Sequence, residues 1–406
     1  VKNKVLSVLV LLGVISIIII NNDNEKNIIV KDNIDIRNNN LAMYKSEDGT
    51  NYTEITEMPS EGYIINEERT YCTMDNKTQI KGKVKSIEGN TIVTNIKKND
   101  KCYLYFDKQP TGSETILGNI TVNSGTPNFA NIATTDEGVY KVEDGMYGGY
   151  SYYWRGAVTN NYVKFANFCW RIIRINGDGS MRLIYDGTTC HANGTSTTES
   201  LAVTGQAYNP NYNRSEYVGY TYTTGSQRTT SGTASNLKTQ NETWYNSNLA
   251  SYASKIADGK YCNDRNTGAG YSWSSQPSST FYYAGYDRSG AKSASSVSPT
   301  LSCPSGDVYT LKIGAITMDE VVMAGGKWGT ANSSYYLYNG NYYWTMSPFC
   351  WYSPYVRVFF VWSGGQLTGS YNVDWTTPSV RPVINLKSDT TFSSGNGTLA
   401  DPYIVQ

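Results

Sequence analysis

From about Gly138 onward, apolar and polar positions fall into short strand-like runs rich in aromatic residues, separated by long Ser, Thr, Gly and Tyr loops. Val163 to Ile175 (VKFANFCWRIIRI) and Ser180 to Tyr185 (SMRLIY) flank Asn176-Gly177-Asp178-Gly179. Asn-Gly and Asp-Gly supply positive φ readily, so this stretch predicts a β-hairpin. Two helices are predicted: Glu242 to Ile256, with Trp244, Leu249 and Ile256 as apolar points, and Thr317 to Ala324, opened by Thr317 and closed by Gly325-Gly326. Upstream, from Leu41 to about Ile132, short alternating runs (Thr78 to Ser86, Thr91 to Ile96, Cys102 to Phe106) predict a small sandwich-like all-β module whose simplest role is a spacer. Asn21 to about Asn40 is Asn-rich, charged and aperiodic, the pattern of a flexible stalk.

The N-terminus carries a different pattern. Lys2 and Lys4 precede an apolar run, Val5 to Ile20, with no small-x-small cleavage site after it and no lipid-attachable cysteine. This predicts an export signal or, by preference, an uncleaved membrane-anchor helix with the rest of the chain outside. The expected division is therefore 1–21 anchor or signal, 22–40 stalk, 41–135 β-module and 136–406 ligand-binding domain.

Composition sharpens this picture. Lys plus Arg and Asp plus Glu both total 34, so the net charge is zero and no basic stripe argues for a nucleic-acid partner. Charged residues are only 17% while Tyr numbers 35 and Gly 37, a balance that suits a β-rich exported protein. Seven cysteines outside a membrane should mostly pair. Their order suggests Cys72 with Cys102, Cys169 with Cys190 and Cys262 with Cys303, leaving Cys350 over, although order alone leaves other connectivities open.

Candidate chemistry is sparse. His191 is the only histidine, so Ser-His-Asp and Cys-His triads are excluded unless it is the base, and a His-rich metal site is excluded outright. No Asp-x-Asp-x-Asp-Gly calcium loop and no CxxC zinc pattern occurs, and no cofactor is expected. Asp319-Glu320 or Asp186 could face a cleft as the carboxylates of a hydrolase, but the first two read more simply as acids in a helix's first turn.

The C-terminal segment stands apart. Phe349 to Ser379 holds three Trp and several Tyr among Ser, Gly and Thr, with no Lys or Glu and with Arg357 and Asp374 as its charges. That is paratope composition, large rigid rings among adaptable polar groups. Val356, Val358 and Phe360 alternate as one strand face, with Tyr355, Arg357, Phe359 and Val361 on the other, and Arg357 suggests that the second face is partly wet. Trp344, Val356, Val358, Phe360 and Val380 are assigned to the core, whereas Ser363 to Thr377 is too polar and turn-rich to be buried throughout.

Framing this segment are Tyr343-Trp344-Thr345-Met346-Ser347-Pro348 and Val380-Arg381-Pro382-Val383-Ile384-Asn385-Leu386. Tyr153-Trp154-Arg155-Gly156, Cys169-Trp170-Arg171-Ile172, Ile316-Thr317-Met318-Asp319-Glu320-Val321 and Asp401-Pro402-Tyr403-Ile404-Val405 accompany them. Over about Tyr140 to Gln406 the chain resembles the C-type-lectin-like domains related to the formylglycine-generating-enzyme family. Those domains occur in surface proteins of gut Firmicutes and in the variable proteins of diversity-generating retroelements. The resemblance implies an α+β, C-type-lectin-like fold displaying one diversified patch to a ligand that is a protein or a cell-surface structure such as a glycan. Carried over by position, the contact residues would be Phe349, Trp351, Tyr352, Tyr355, Arg357, Trp362, Gln366, Tyr371, Asn372, Asp374 and Trp375. The oxidase branch's cysteine pair and the Glu-Pro-Asn, Gln-Pro-Asp and Trp-Asn-Asp tripeptides of calcium-dependent sugar binding have no match. The expected function is therefore cell-surface ligand binding, with a fixed-specificity glycan adhesin and a carboxylate-dependent hydrolase as alternatives.

Overall fold

The computed structural model describes residues 19–22, 25–29, 41–59, 62–74, 78–80, 84–87, 90–96 and 101–406, and the chain divides into two compact units after Pro110. Most of the run expected to form the anchor lies outside the described residues. Its last two positions, Ile19 and Ile20, belong to a strand, Ile19–Asn22. Among the described residues no helix is long and apolar enough to cross a membrane, so the expected anchor helix has no counterpart there. Strands make up 34% and helices 12% of the chain, which corrects the expected α+β, C-type-lectin-like class to a mostly β protein with mixed sheets. The physical reason is visible in the longest helix, NLKTQNETWYNSN, whose Asn, Thr and Ser compete with helix formation rather than favour it.

Among its described residues the first unit contains two sheets. One joins Ile19–Asn22, Glu25–Ile29, Asn90–Ile96 and Val84–Ile87, so part of the expected stalk is strand. The other is built on Lys101–Lys108, which pairs parallel to Leu41–Ser46 and antiparallel to Tyr63–Ile65 and Tyr71–Met74. Alternation along this strand sends Cys102, Leu104 and Phe106 into a small core with Met43, Ile65 and Cys72. Tyr103 and Tyr105 emerge on the opposite face, where they stack with Tyr71 and Tyr44. The Cys72–Cys102 disulfide joins neighbouring strands.

The second unit begins with helix α1 (Gly112–Asn119), capped by Thr111 and Glu114 in a reciprocal capping box. Its Ile116 lies in the second unit's core, and Gly112 N donates to Thr390 O at 2.6 Å. Residues 111–135, expected in the β-module, thus pack with the C-terminal unit. The T-x-x-E signature that marks this helix start was readable in the sequence.

Strands β1 (Asp136–Glu143), β2 (Tyr150–Gly156), β3 (Tyr162–Phe165), β4 (Phe168–Ile175) and β5 (Met181–Gly187) form most of one large sheet. The expected strand 163–175 is in fact two, because the chain turns at Ala166 (φ 54°) and Asn167 (φ 64°). Two adjacent positive φ values make a tight hairpin loop that places Phe165 opposite Phe168. Beyond it, β4 and β5 pair from Ile175 and Met181 around the expected Asn-Gly-Asp-Gly turn. Almost every residue of β4 and β5 is buried, so both faces of these strands are covered. Helix α2 (Asn236–Asn248) starts six residues before the expected Glu242, since Ser235 caps it by accepting from Lys238 N. Helices α3 (Gly285–Arg288) and α4 (Met318–Met323) follow, the latter opened by Thr317 as expected, with Glu320 completing a capping box.

Six arginines, Arg155, Arg171, Arg174, Arg182, Arg265 and Arg381, are almost wholly buried in this unit. Burying a charge is costly unless it is paired, and most of these are. Arg155 pairs with Glu137 at 2.7 Å, Arg174 with Asp144 at 3.2 Å and with Glu320 at 3.2 Å, and Arg381 with Asp186 at 3.4 Å. Arg182 Nε lies 2.5 Å from Glu320 Oε1 as a charge contact, while its hydrogen bond to that carboxylate comes from Nη2 at 3.3 Å. The Trp-Arg motifs singled out in the sequence thus build the framework, with Trp154 and Trp170 in the core beside their arginines.

Candidate ligand-binding site

The site is carried by a hairpin of β6 (Tyr343–Tyr352) and β7 (Tyr355–Val361), which pair as Trp351 with Val356 and Tyr352 with Tyr355. Trp344, Val356, Val358, Phe360 and Val380 are fully buried, as their pattern implied. The opposite face of β7 is wet only at its start. Tyr355 and Arg357 reach solvent, whereas Phe359 and Val361 are buried. Phe359 is covered by Phe349 and Trp328, with ring centroids 4.8 Å and 5.8 Å away.

Of the eleven positions expected to contact ligand, Phe349 (6% exposed) and Trp351 (2%) are core residues. Phe349 sits so close to Gly369 that a Cβ there would lie 2.3 Å from its ring. Trp351 Nε1 donates to Pro277 O at 3.0 Å. Gln366 belongs to the tight turn closed by Trp362 N donating to its carbonyl at 2.9 Å, and its own Oε1 is buried without a partner among the described residues. Tyr352 (52%), Tyr355 (37%) and Tyr371 (39%) are exposed. Arg357, Trp362, Asn372, Asp374 and Trp375 are half-buried.

Five of these residues meet around an open depression of about 410 Å³: Arg357, Tyr371, Asn372, Asp374 and Trp375, with Ser370 and Thr376. The Tyr371 and Trp375 rings stack at 3.8 Å, backed by Trp362, and Tyr342 packs edge-on against both tryptophans. Backbone bonds hold the segment to the hairpin: Val373 N donates to Val356 O at 3.1 Å and Asn209 N to Val373 O at 3.0 Å. Arg357 lies 4.8 Å over the Tyr352 ring and donates from Nε to Asn372 Oδ1 at 3.3 Å, which ties the hairpin tip to the depression. The face also includes Tyr212, which packs on Tyr355 at 5.4 Å and which sequence reasoning missed, together with Tyr342. Among 35 tyrosines, local pattern offers no way to separate a packed ring from a displayed one.

The remaining candidates lie elsewhere. Cys350 is a buried residue of β6, and burial pushes its thiol up to about 12 against the opposing pull of Arg357, which makes it a poor nucleophile. Glu320 is held by Arg174 and Arg182, Asp319 by Arg288 at 2.9 Å, and Asp186 by Arg381. The cavity beside Asp319 and Glu320 is about 10 Å³, room for a single water. His191 Nδ1 is 2.7 Å from Asp186 O, and its Nε2 is 3.1 Å from Glu199 Oε2 and 3.4 Å from Thr189 Oγ1. Among the described residues no cluster of His, Cys, Asp and Glu suits a metal ion.

Disulfides Cys72–Cys102, Cys169–Cys190 and Cys262–Cys303 close loops in both units, the three pairs suggested by cysteine order. Three such bonds mark an exported or extracellular protein. Fold and site together thus define an exported, mostly β protein with one exposed aromatic face on its C-terminal unit. Comparison with models of known protein families, with curated proteins and with solved structures yields no match.

Proposed function

We propose that this is a cell-surface or secreted ligand-binding protein whose contact face comprises Tyr212, Tyr352, Tyr355, Arg357 and the Ser370 to Thr376 segment. The observation that carries the reading is the gathering of exposed rings. Of the seven exposed large hydrophobic residues among those described, four (Tyr212, Tyr352, Tyr355 and Tyr371) belong to this one face. Isolated exposed apolar residues are ordinary, but a contiguous set backed by a rigid core is the pattern of a recognition surface. Tyr and Trp give large contact area at small entropic cost, and the fringe of Ser, Asn, Asp and Thr adapts its hydrogen bonding.

The sequence frames on either side of the segment support the further proposal that its exposed positions are diversified. Sequencing codons 349 to 379 in related isolates, with a search for a nearby imperfect repeat, tests that directly. Variation confined to those codons supports it, and an invariant segment without a template favours an adhesin of fixed specificity. Binding itself is tested by applying the labelled protein to arrayed proteins, glycans and intact cells beside a variant with Tyr352, Tyr355, Trp362 and Trp375 all changed to alanine. Each hot-spot truncation should cost about 2 kcal/mol of affinity. A folded variant that binds as tightly as the parent would remove the reading.

A further inference from the structure

We propose that the depression beneath the hairpin takes a saccharide bearing a carboxylate, with Arg357 pairing to that carboxylate, an inference that rests on the ligand-binding reading above. Arg357 is pre-oriented: its guanidinium lies over the Tyr352 ring and its Nε is tied to Asn372. Only that one donor is used. Among the described residues neither terminal nitrogen of Arg357 has a hydrogen-bond acceptor and no carboxylate lies within ion-pairing distance of it, although Asp374 lines the same depression. A planar fork of unpaired N–H groups beside an open depression matches a carboxylate in geometry as well as charge.

The aromatic residues of the same lining supply what a sugar ring needs. Tyr371 and Trp375 form a stacked slab braced from behind by Trp362 and Tyr342, and an aromatic face attracts the weakly positive C–H groups of a pyranose. Ser370, Asn372, Asp374 and Thr376 surround it with short donors and acceptors that can meet hydroxyl groups. The depression is open, and its volume of about 410 Å³ falls in the range of small-ligand sites. An acidic peptide fits less well, because it would bring several carboxylates to one cation and place them beside Asp374.

The test is titration of the full chain, followed by tryptophan fluorescence, with a hyaluronan tetrasaccharide and with sialyllactose, each beside its carboxyl-reduced counterpart, and with polyglutamate. One of the acidic saccharides should bind at least about tenfold more tightly than its reduced form, a difference of about 1.4 kcal/mol. Arg357→Gln should abolish that preference, so that the acidic and reduced forms bind alike, Arg357→Lys should keep part of it, and Trp375→Ala should weaken both forms. Thermal melts confirm that each variant is folded. Equal binding of acid and reduced forms, tighter binding of polyglutamate, or no binding of either saccharide overturns the proposal. In each of those cases the ligand-binding reading stands or falls separately, on whether the four-alanine variant loses attachment to arrayed proteins, glycans or cells.

Discussion

Glu320→Gln should be among the most damaging single substitutions in the C-terminal unit, although the two side chains have nearly the same shape. Glu320 is 2% exposed and its carboxylate is the shared partner of two arginines that are each 1% exposed. It also accepts from Thr317 N at 2.9 Å and Thr317 Oγ1 at 3.2 Å, closing the capping box that starts α4. Gln keeps the shape and some hydrogen bonds but removes the charge. Arg174 retains Asp144, whereas Arg182 has no other carboxylate partner among the described residues and is left as a buried, uncompensated cation. Breaking a buried pair in this way costs about 3–5 kcal/mol, and the weakened cap adds up to about 1 kcal/mol. Against a typical stability of about 5–15 kcal/mol, that is about a fifth or more of the total. Urea denaturation followed by tryptophan fluorescence measures it, and the companion change Arg182→Met, which removes the stranded cation, should recover part of the loss. A Glu320→Gln loss below about 1 kcal/mol, the scale of a surface pair, would refute the argument that this network is desolvated.

Three further outcomes follow from the same structure. In acid, burial is the largest single influence on Glu320 and Asp144 and opposes their ionisation, but Arg182 and Arg174 with the Thr317 bond at Glu320, and Arg174 with bonds from Ser151, Tyr147 and Gly177 at Asp144, together outweigh it, so both folded pKa values lie below their ordinary ones. Their stabilisation is present above the unfolded carboxylate range and is lost as pH falls through the folded values, while Asp186, raised mainly by burial, acts in the opposite sense. The urea midpoint should therefore fall steeply below about pH 4, and less steeply in Glu320→Gln; parallel acid profiles would contradict the assignment. Cys262→Ser opens a disulfide spanning 41 residues and should cost about 4 kcal/mol in the chain-entropy view, read as a drop in the denaturation midpoint, and reduction of the parent, which also opens Cys169–Cys190, should lower the midpoint further. Changing Ala166 to Asn and Asn167 to Gly together should stabilise the unit by about 0.5–1 kcal/mol, since both positions already hold positive φ; a lower melting temperature would show that the turn is set by something else.

Several elements were legible because their causes are local. Thr317 with Glu320 announces a helix start whatever surrounds it, and the Asn-Gly-Asp-Gly turn sets β4 against β5. The period-two alternation of Val356, Val358 and Phe360 sends that face inward. Where local cues conflicted or were weak, the reading drifted. The Ala166-Asn167 turn lacks the glycine that advertises such loops, and the polar composition around Ser235 hid the true start of α2. The α+β class failed for a related reason: a family resemblance carried by short framing motifs does not count the strands between them.

The sequence by itself determined an exported, tyrosine-rich chain with three cysteine pairings suggested by order, a strongly alternating core hairpin, and an aromatic segment poor in charge. Only the tertiary structure decided which of those aromatics are displayed. Phe349 and Trp351 are covered by Trp328, Tyr282, Tyr286 and the Pro277 loop, while Tyr212, from a loop about 140 residues away, joins Tyr355 on the surface. An aromatic ring is equally at home packed or exposed. Its position is settled by which distant segments arrive to cover it, and that is a property of the folded chain rather than of its neighbours in sequence.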